Sequence, residues 1–540
     1  MSGHLASRRG VSGEHSAAID ALFTRYDNER SPGVNIAVIR HDRVVHQRGY
    51  GVANVEDDVP FAPNTVLRLG STTKHLCAAC VLLLESRGVL TLQDDVRHWL
   101  PELPRFEPPI RLEHLLAMTS GLRDGLNMLL FAGMGVNTVI TRKQVLALLC
   151  NETTTMFAPG EDCRYSNTNY ALLSELIERV SGMPLAEFMT KELFAPLGMH
   201  DTALVPYTTS VITNAARGYQ RNGDAYEQGA MLVELSGDGG VASTLEDMVR
   251  WYRAYTQHTS PVPDLRARLE APRRLNDGRV VEYRLGINVR RRDGVLQVSH
   301  AGGMPGYLCD FAIYPEQSLG IVLFSNVLDP QILDASERVA ALILGTDGAV
   351  HGRAHTRSAP LGFFASVAAG LLIELAERDG EIVLFLLGEM HPLGWTAGAT
   401  ALESRKRGVV VRIEPRDDAV DLVLGAMPPV RMDRVARPEP RTGTELSGYI
   451  GRYGSRVMNE YHDVDAVDGQ LVVTLSSPLR SLVWKNFVHV TGDLFTSVID
   501  GEPSLTNVQI LFRRDADAVC GLTYNLARCC GVAFERTDTR

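Results

Sequence analysis

A serine and a lysine stand three residues apart where a helix is predicted to begin. Gly70 is followed by Ser71-Thr-Thr-Lys74, and apolar residues then recur at helical spacing until Gly88. Side chains three apart share a helix face, so the Ser71 hydroxyl and the Lys74 amine can meet. A helix N-terminus disfavours positive charge and presents backbone N–H groups. The pattern therefore predicts a serine nucleophile with a lysine as its base, and an oxyanion held by the Ser71 N–H.

Two further polar clusters follow in the chain. Tyr165-Ser166-Asn167 supplies a phenol that can relay protons and an amide that can orient the lysine or a substrate carbonyl. His300-Ala-Gly302-Gly303 is predicted to end a strand, with an imidazole and glycines that let a substrate backbone approach. Each short pattern is weak evidence by itself. In this order behind Ser-x-x-Lys they strongly indicate one catalytic site, in which the Gly303 N–H is the second oxyanion donor.

Composition excludes several other classes of protein. The chain has 540 residues, so two to four domains are expected, and its hydrophobic (45%) and charged (22%) fractions are those of a globular protein. A net charge of -10 argues against nucleic-acid binding. The residues Met1–Tyr26 lack an apolar signal region, and the apolar stretch Leu361–Ile373 is too short to span a membrane. We therefore expect a cytoplasmic enzyme without membrane contact.

No cofactor or metal is predicted. The chain has no dinucleotide fingerprint, no phosphate-binding loop and no zinc-protease motif. Its eight cysteines are scattered, which argues against a disulfide framework or a zinc site. His75, His98 and His114 are also scattered, and we expect them to be capping or surface residues.

The elements that must position these residues mix strands and helices in residues 1–345. A hairpin is predicted over 34–53, and helices over 166–180 and 243–255, the latter with a capping box formed by Ser243 and Glu246. Strands are predicted over 285–290, 295–300, 309–314 and 320–325. We interpret residues 1–345 as the catalytic domain and 346–360 as a linker. Short strands separated by turns then predict two antiparallel β domains, 361–437 and 438–540.

The three clusters resemble the motifs of serine β-lactamases, DD-peptidases and their relatives. Histidine replaces the lysine that usually begins the third motif, a variant found among aminopeptidases and esterases of this superfamily. Further local matches are Leu115–Leu122, Phe157–Gly160, Leu193–Gly198 and Gly239–Thr244. The resemblance covers about residues 20–345. It implies a multidomain α+β protein whose β-lactamase-like domain, an antiparallel sheet flanked by an all-helical subdomain, is followed by two antiparallel β-barrel domains.

The two β domains and the strand Ile510–Asp515 make the chain more similar to D-stereospecific aminopeptidases. That resemblance implies removal of an N-terminal D-residue, typically D-Ala, from peptides, amides and esters, and a homodimer. It also implies that a loop of the last domain, here about 496–507, reaches the active site and presents an acid to the substrate amine. Asp500 or Glu502 could be that acid; Asp500 could equally be a turn residue of an Asp-Gly hairpin.

The expected mechanism follows from these assignments. Lys74, with Tyr165, takes the proton of Ser71, Tyr165 protonates the leaving amine, and water hydrolyses the acyl-enzyme. His300 and Gly302 are expected on the substrate side. A β-lactamase-like esterase or DD-peptidase would use the same residues. A third alternative is a non-catalytic ligand-binding relative, but a binding role would not require all four of Ser71, Lys74, Tyr165 and Asn167.

Overall fold

The computed structural model describes most of the chain. The described residues are 15–132, 134, 139–222, 225–229, 231–292, 294–329, 332, 334–345, 358–378, 380–387, 389–396, 400–404, 411–424, 429–439, 443–477, 480–499, 502–503, 508–526 and 528–537. The chain divides into two compact units. The first contains Met1–Ser120, Gly135–Gln144 and Asn167–His351, and the second contains Gly121–Met134, Val145–Ser166 and Gly352–Arg540. Most of the predicted linker, residues 346–357, lies outside the described residues.

Helices are concentrated in the first two-thirds of the described chain. In chain order they are α1 Ser16–Leu22, α2 Thr73–Ser86, α3 Val96–Trp99, α4 Leu112–Leu116, α5 Gly125–Phe131, α6 Arg142–Cys150, α7 Asn167–Ser181, α8 Leu185–Met189, α9 Leu245–Thr256, α10 Leu265–Glu270 and α11 Ala335–Leu344. Where the structure describes the chain, we find no helix long and apolar enough to cross a membrane.

The strands of the first unit are mostly short. They are β1 Val34–Arg40, β2 Arg43–Tyr50, β3 Val52–Asn54, β4 Val59–Pro60, β5 Leu67–Arg68, β6 Ala203–Leu204, β7 Tyr219–Asn222, β8 Ala225–Gln228, β9 Val241–Ser243, β10 Arg273–Arg274, β11 Val280–Val281, β12 Asn288–Arg292, β13 Val295–Met304, β14 Tyr307–Tyr314 and β15 Leu319–Ser325. Six of them form an antiparallel sheet in the order β12-β13-β14-β15-β1-β2. The predicted antiparallel sheet is thus confirmed.

The centre of this sheet is apolar on both faces. Every residue of β15 is buried, as are the first six of β1, because helices cover both faces of these strands. Ile36 and Leu323 belong to one cluster on the face that also holds the apolar residues of α1 and α11. Helix α9 packs against β1 and β15 as well.

Helix α9 corrects one detail of the sequence analysis. The predicted capping box of Ser243 and Glu246 is wrong, because Ser243 is the last residue of β9. The N-cap is Thr244, whose hydroxyl accepts a hydrogen bond from the Asp247 backbone N–H at 3.1 Å. Ser243 instead bonds the Thr202 hydroxyl at 2.7 Å. Because β9, which ends at Ser243, pairs in a sheet with β5 and β6, the N-cap of α9 lies one residue later than predicted.

The second unit contains two closed antiparallel barrels, which confirms the predicted architecture. The first is closed by β16 Gly362–Ser366, β17 Leu371–Arg378, β18 Glu381–Leu386, β19 Glu389–Trp395, β20 Leu402–Ser404, β21 Val411–Pro415, β22 Ala419–Leu424 and β23 Val430–Val435. The second contains β24 Gly451–Ser455, β25 Glu460–Val467, β26 Gln470–Ser477, β27 Arg480–Thr491, β28 Leu494–Ile499, β29 Glu502–Pro503, β30 Gln509–Asp515, β31 Ala518–Asn525 and β32 Val532–Arg536. Pairing of β27 with β28 closes it, and β29 pairs only with β28.

The two barrels are joined by side-chain amides that bond backbone groups. Gln509 accepts a hydrogen bond from the Leu372 N–H at 2.8 Å and donates one to the Leu372 carbonyl at 2.7 Å. Asn525 donates to the Gly370 carbonyl at 2.9 Å. Ala365, Leu372 and Leu494 form a small apolar cluster beside them. Buried amides with satisfied partners fix one relative arrangement of the barrels.

Asn326 ties the end of β15 to three neighbouring segments of the first unit. Its side chain is fully buried. It accepts a hydrogen bond from the Gly33 N–H at 2.8 Å and donates to the carbonyls of Val52 and Arg217 at 3.0 and 2.9 Å. Losing the amide would leave these three backbone groups buried without that partner.

We expect Asn326→Ala to lower the thermal unfolding midpoint of the first unit by roughly 6–12 °C, because each buried polar group left unsatisfied costs about 1–3 kcal/mol. Differential scanning calorimetry measures the shift. Asn222→Ala removes an amide that donates to exposed Glu227 and should leave the midpoint unchanged. Equal midpoints for Asn326→Ala and the wild type would contradict the structural role of Asn326.

His75 is buried within α2, so its prediction as a capping or surface residue is wrong. Its ring stacks on Phe311, with centroids 5.0 Å apart, and lies 5.6 Å from the Trp251 ring. Neither ring nitrogen has a hydrogen-bond partner among the described residues. Burial, followed by the neighbouring His300, lowers the pKa of His75 well below 6.5. The folded state therefore keeps this imidazole neutral while the unfolded chain binds a proton as the pH falls.

We expect His75→Phe to reduce the acid sensitivity of the protein. The contribution of a neutral buried histidine is present above about pH 6.5 and is lost towards lower pH by about 1.4 kcal/mol per unit. Thermal unfolding at pH 8 and pH 5 should therefore differ less in His75→Phe than in the wild type. His98→Phe replaces an exposed histidine and should retain the wild-type difference. The same pH 8 to pH 5 difference in His75→Phe and the wild type would refute this role.

Candidate active site

A tight turn presents Ser71 at the start of α2. Residues Gly70–Thr72 form a single 3-10 turn that leads directly into the helix. Gly70 has φ +52°, and a Cβ atom there would lie 3.0 Å from the backbone nitrogen of Gly303. Both the left-handed backbone and the close approach require glycine at this position. Ser71 is half-buried, and the residue before it, Gly70, lies against the Gly303 backbone.

Lys74 is completely buried one turn further along α2. Its Nζ donates hydrogen bonds to Ser71 Oγ at 3.1 Å, to Asn167 Oδ1 at 2.9 Å and to the Asp238 carbonyl at 2.5 Å. The Nζ atom also lies 5.8 Å from the centre of the Tyr170 ring. The structure thus brings together three of the residues predicted from the sequence. Because Asn167 and the Asp238 carbonyl each accept one hydrogen bond from the amine, the third tetrahedral direction of Nζ is towards Ser71 Oγ.

Asp238 is a site residue that the sequence analysis missed. It contributes its backbone carbonyl to Lys74, while its carboxylate accepts hydrogen bonds from the N–H and hydroxyl of Ser236 at 2.7 and 3.1 Å. Gly237 allows this loop to lie against α2, because a Cβ there would be 2.4 Å from Cys77 Sγ. The segment Gly239–Thr244, which matches the superfamily in sequence, begins one residue after Asp238. Asp238 was missed because any residue type can supply a backbone carbonyl.

Asn167 is held by the start of α7. Two other residues of the first turns of α7 bond to the segment around α4: Asn169 accepts from the Ser120 hydroxyl at 2.6 Å, and Tyr170 donates to the Leu116 carbonyl at 2.9 Å. Asn169 and Tyr170 are fully buried. These bonds fix the register of the helix and hence the distance from Asn167 to Lys74.

The third cluster lies on β13 and packs against the Ser71 turn. Gly302 must be glycine because a Cβ there would lie 1.8 Å from the Leu69 carbonyl oxygen. The Thr72 hydroxyl donates to the His300 carbonyl at 3.2 Å. Gly302 therefore lets β13 pack against the turn that carries Ser71. The sequence analysis expected Gly302 on the substrate side and did not predict this packing role. A Cβ at Gly303 would meet only a side-chain atom of Leu308, at 3.6 Å.

His300 is a buried imidazole with two defined partners. Its Nδ1 lies 2.7 Å from the Ala301 carbonyl, and its Nε2 lies 3.1 Å from the Tyr283 hydroxyl. The carbonyl can only accept, so Nδ1 carries the proton and Nε2 accepts from the phenol. Burial, followed by the charge of Lys74, lowers the pKa of His300 to about 3. The ring is therefore neutral at physiological pH, the Ala301 carbonyl fixes its tautomer, and Tyr283 donates to Nε2.

Tyr165 belongs to the second unit, two residues before α7 begins. It is half-buried, and the guanidinium carbon of Arg528 lies 4.9 Å from the centre of its ring. Sequence analysis did not single out Arg528 or Tyr283. Neither has a local pattern around it, because each meets its partner only through the tertiary structure.

The predicted acids of the last domain stay predictions. Asp500 lies outside the described residues. Glu502 begins the short strand β29, where it pairs with Ile499. Within the described residues, we find no group of three or more histidine, cysteine, aspartate or glutamate side chains that could hold a metal ion.

Comparisons with known proteins agree with this geometry. The family model described as beta-lactamase matches residues 19–345. A D-aminopeptidase from Gluconobacter oxydans (strain 621H) is 26% identical over 448 residues, which cover 82% of this chain and 83% of that protein. Penicillin-binding protein 4* from Bacillus subtilis (strain 168) is 31% identical over 317 residues, 55% of this chain and 69% of that protein.

Solved structures share the fold. The octameric penicillin-binding protein homologue from Pyrococcus abyssi superposes with a TM-score of 0.56 at 22% identity, covering 77% of this chain and 99% of that one. The family match extends over more than half of the chain and includes the Ser71 turn, Asn167 and the His300 strand. The chain is a serine hydrolase and belongs to the beta-lactamase family.

Proposed function

We propose that the protein is a D-stereospecific aminopeptidase. It hydrolyses the N-terminal D-residue, with D-Ala preferred, from peptides, amides and esters through an acyl-enzyme on Ser71. The observation that carries the proposal is the set of three hydrogen bonds from Lys74 Nζ to Ser71, Asn167 and Asp238. The similarity to a D-aminopeptidase over 82% of the chain supports the substrate class.

Lys74 is the base for acylation. As a neutral amine it has two N–H groups, which the Asn167 and Asp238 oxygens accept, and one lone pair directed at the Ser71 hydroxyl. The serine proton moves to Nζ as Oγ attacks the substrate carbonyl. Tyr165 relays this proton to the departing amine, and water then hydrolyses the ester between Ser71 and the acyl group.

The oxyanion of the tetrahedral intermediate is held by the backbone N–H groups of Ser71 and Gly303. The close approach of Gly70 to the Gly303 nitrogen supports this pairing of donors. Donors fixed in a rigid turn and strand need no reorganisation during the reaction, and each is worth about 3–4 kcal/mol of barrier. His300 is neutral, and its hydrogen bond with Tyr283 holds the imidazole in one orientation on the substrate side of this strand.

An acid of the last barrel recognises the free amine of the substrate. Asp500 or Glu502 fills this role, with a homodimeric assembly as in the family it resembles. Gly302 is part of the substrate-binding strand β13, and its lack of a side chain lets this strand pack against the Ser71 turn.

A second candidate is a penicillin-binding-protein-like esterase or DD-peptidase. It is favoured by the 31% identity to penicillin-binding protein 4*, which exceeds the identity to the D-aminopeptidase although it covers only 55% of the chain. Such an enzyme would use the same Ser71 and Lys74 but would not require a free substrate amine. Substrates with a blocked amine therefore separate the two functions.

We expect the wild type to cleave D-Ala-p-nitroanilide and to leave L-Ala-p-nitroanilide, N-acetyl-D-Ala-p-nitroanilide and p-nitrophenyl butyrate almost untouched. Ser71→Ala should lower turnover by at least about 10⁴-fold, because the nucleophile and its base act as a unit. Release of p-nitroaniline or p-nitrophenol is followed spectrophotometrically.

Ser86→Ala is the matched control for this experiment. Ser86 ends the same helix, where its hydroxyl donates to the Leu83 carbonyl, so full activity is expected. Turnover of the butyrate or the acetylated amide without preference for D-Ala would support the esterase or peptidase instead. Turnover that survives Ser71→Ala would refute both functions.

We expect Asn167→Ala to lower kcat by roughly 10- to 100-fold, because Lys74 loses an acceptor that aligns its amine with Ser71. KM should change less than about threefold, since the amide contacts the lysine rather than the substrate. Steady-state kinetics with D-Ala-p-nitroanilide measure both constants. Asn151→Ala, on the exposed end of a helix, is the control. A rise in KM with unchanged kcat would show instead that Asn167 binds the substrate.

A further inference from the structure

The turn between β31 and β32 of the second barrel is fixed by contacts within the second unit. This segment, residues 526–531 with Ala527 outside the described residues, is called the Arg528 turn here. The Arg123 guanidinium donates to the carbonyls of Cys530 and Gly531 at 3.0 and 3.2 Å. The Asp124 N–H donates to the Arg528 carbonyl at 3.0 Å. Three backbone carbonyls of the turn, those of Arg528, Cys530 and Gly531, thus accept hydrogen bonds from the segment that begins at Gly121.

Arg123 is itself held firmly. Its side chain is 8% exposed and forms an ion pair with Glu152, 3% exposed, at 2.9 Å. The same guanidinium nitrogen donates to the Thr154 carbonyl at 2.8 Å. A guanidinium has five N–H donors in a rigid plane, so it can satisfy the carboxylate and the backbone carbonyls together. The pair therefore anchors the Arg528 turn to the segment Val145–Ser166, which also carries Tyr165.

This anchoring brings a cation onto the ring of Tyr165. The Arg528 guanidinium carbon lies 4.9 Å from the ring centre, within the range of a cation–π interaction. Tyr165 and Arg528 are both half-buried, so the stack is partly shielded from water. A guanidinium packed against one face of the ring restricts the side-chain torsions of the tyrosine.

We propose that Arg528 is a positioning residue that holds the Tyr165 phenol in the orientation needed for proton transfer. The proposal rests on the proposed role of Tyr165 as the proton relay. Proton transfer requires the phenol oxygen within hydrogen-bond reach of its partner, and a displacement of about 1 Å can cost about 100-fold in rate.

Arg528→Met tests this role, since methionine keeps an unbranched apolar stem but has no cation. We expect kcat to fall about 10- to 100-fold with KM within about twofold of wild type. Arg528→Lys retains a cation and should recover most of the activity, remaining within about fivefold of wild type. Kinetics are measured with D-Ala-p-nitroanilide and with p-nitrophenyl butyrate, so that the result does not depend on which substrate class the enzyme prefers.

A double-mutant cycle with Tyr165→Phe separates positioning from a general structural effect. Phenylalanine keeps the ring and loses the hydroxyl that Arg528 is proposed to position. In the Tyr165→Phe background, Arg528→Met should therefore lower kcat by less than about twofold. The same fold-loss in both backgrounds would overturn the proposal, and so would unchanged kcat in Arg528→Met, or a rise in KM alone.

Two controls complete the experiment. Arg378→Met removes a cation that lies 6.0 Å from the Phe385 ring in the first barrel, and it should leave kcat unchanged. Thermal unfolding is recorded for each variant, and Arg528→Gln is the second cation-free variant if Arg528→Met does not fold. Full activity of Tyr165→Phe would overturn the proton relay itself, whereas a loss there combined with an active Arg528→Met would overturn only the positioning role.

Discussion

The burial of a single amine constrains the rest of the first unit. Lys74 has no exposed surface, and a charged or neutral amine in such a position requires partners for its protons. The Ser71 hydroxyl, the Asn167 amide and the Asp238 carbonyl supply them, each from a different segment of the chain. The turn before α2, the first turn of α7 and the glycine-rich loop before β9 must therefore converge on one point. The same convergence places the Lys74 amine 3.1 Å from the Ser71 hydroxyl oxygen.

Glycines make this convergence sterically possible. Gly70 accepts a left-handed backbone beside Gly303, Gly302 allows β13 to contact the Leu69 carbonyl, and Gly237 allows its loop to approach Cys77. Any side chain at these positions would push the strand or the loop away from α2. The short motifs thus have two roles. Their polar residues carry the chemistry, and their glycines let the backbone segments approach one another as closely as that chemistry requires.

Histidine in the third motif changes the electrostatics of the site. His300 is neutral because burial and the nearby Lys74 lower its pKa to about 3, and Tyr283 completes its hydrogen bonds. The third motif therefore adds no positive charge to the site. In the second unit the positive charges are arranged differently: Arg123 is neutralised by Glu152, while Arg528 lies on an aromatic ring. Each of these two cations therefore has a partner suited to its surroundings.

The sequence by itself determined the features that depend on local spacing. Ser71 and Lys74 meet because residues three apart share a helix face, the antiparallel sheet follows from alternating and continuous apolar strands, and regular turns predict the two barrels. Only the tertiary structure decided that Asp238 would contribute a carbonyl, that Tyr283 would fix His300, and that Arg528 would meet Tyr165. Backbone acceptors have no signature in residue type, and contacts between residues that are not sequence neighbours depend on how strands and turns pack. His75 shows the same limit, since a histidine pattern cannot reveal that Phe311 and Trp251 will enclose it.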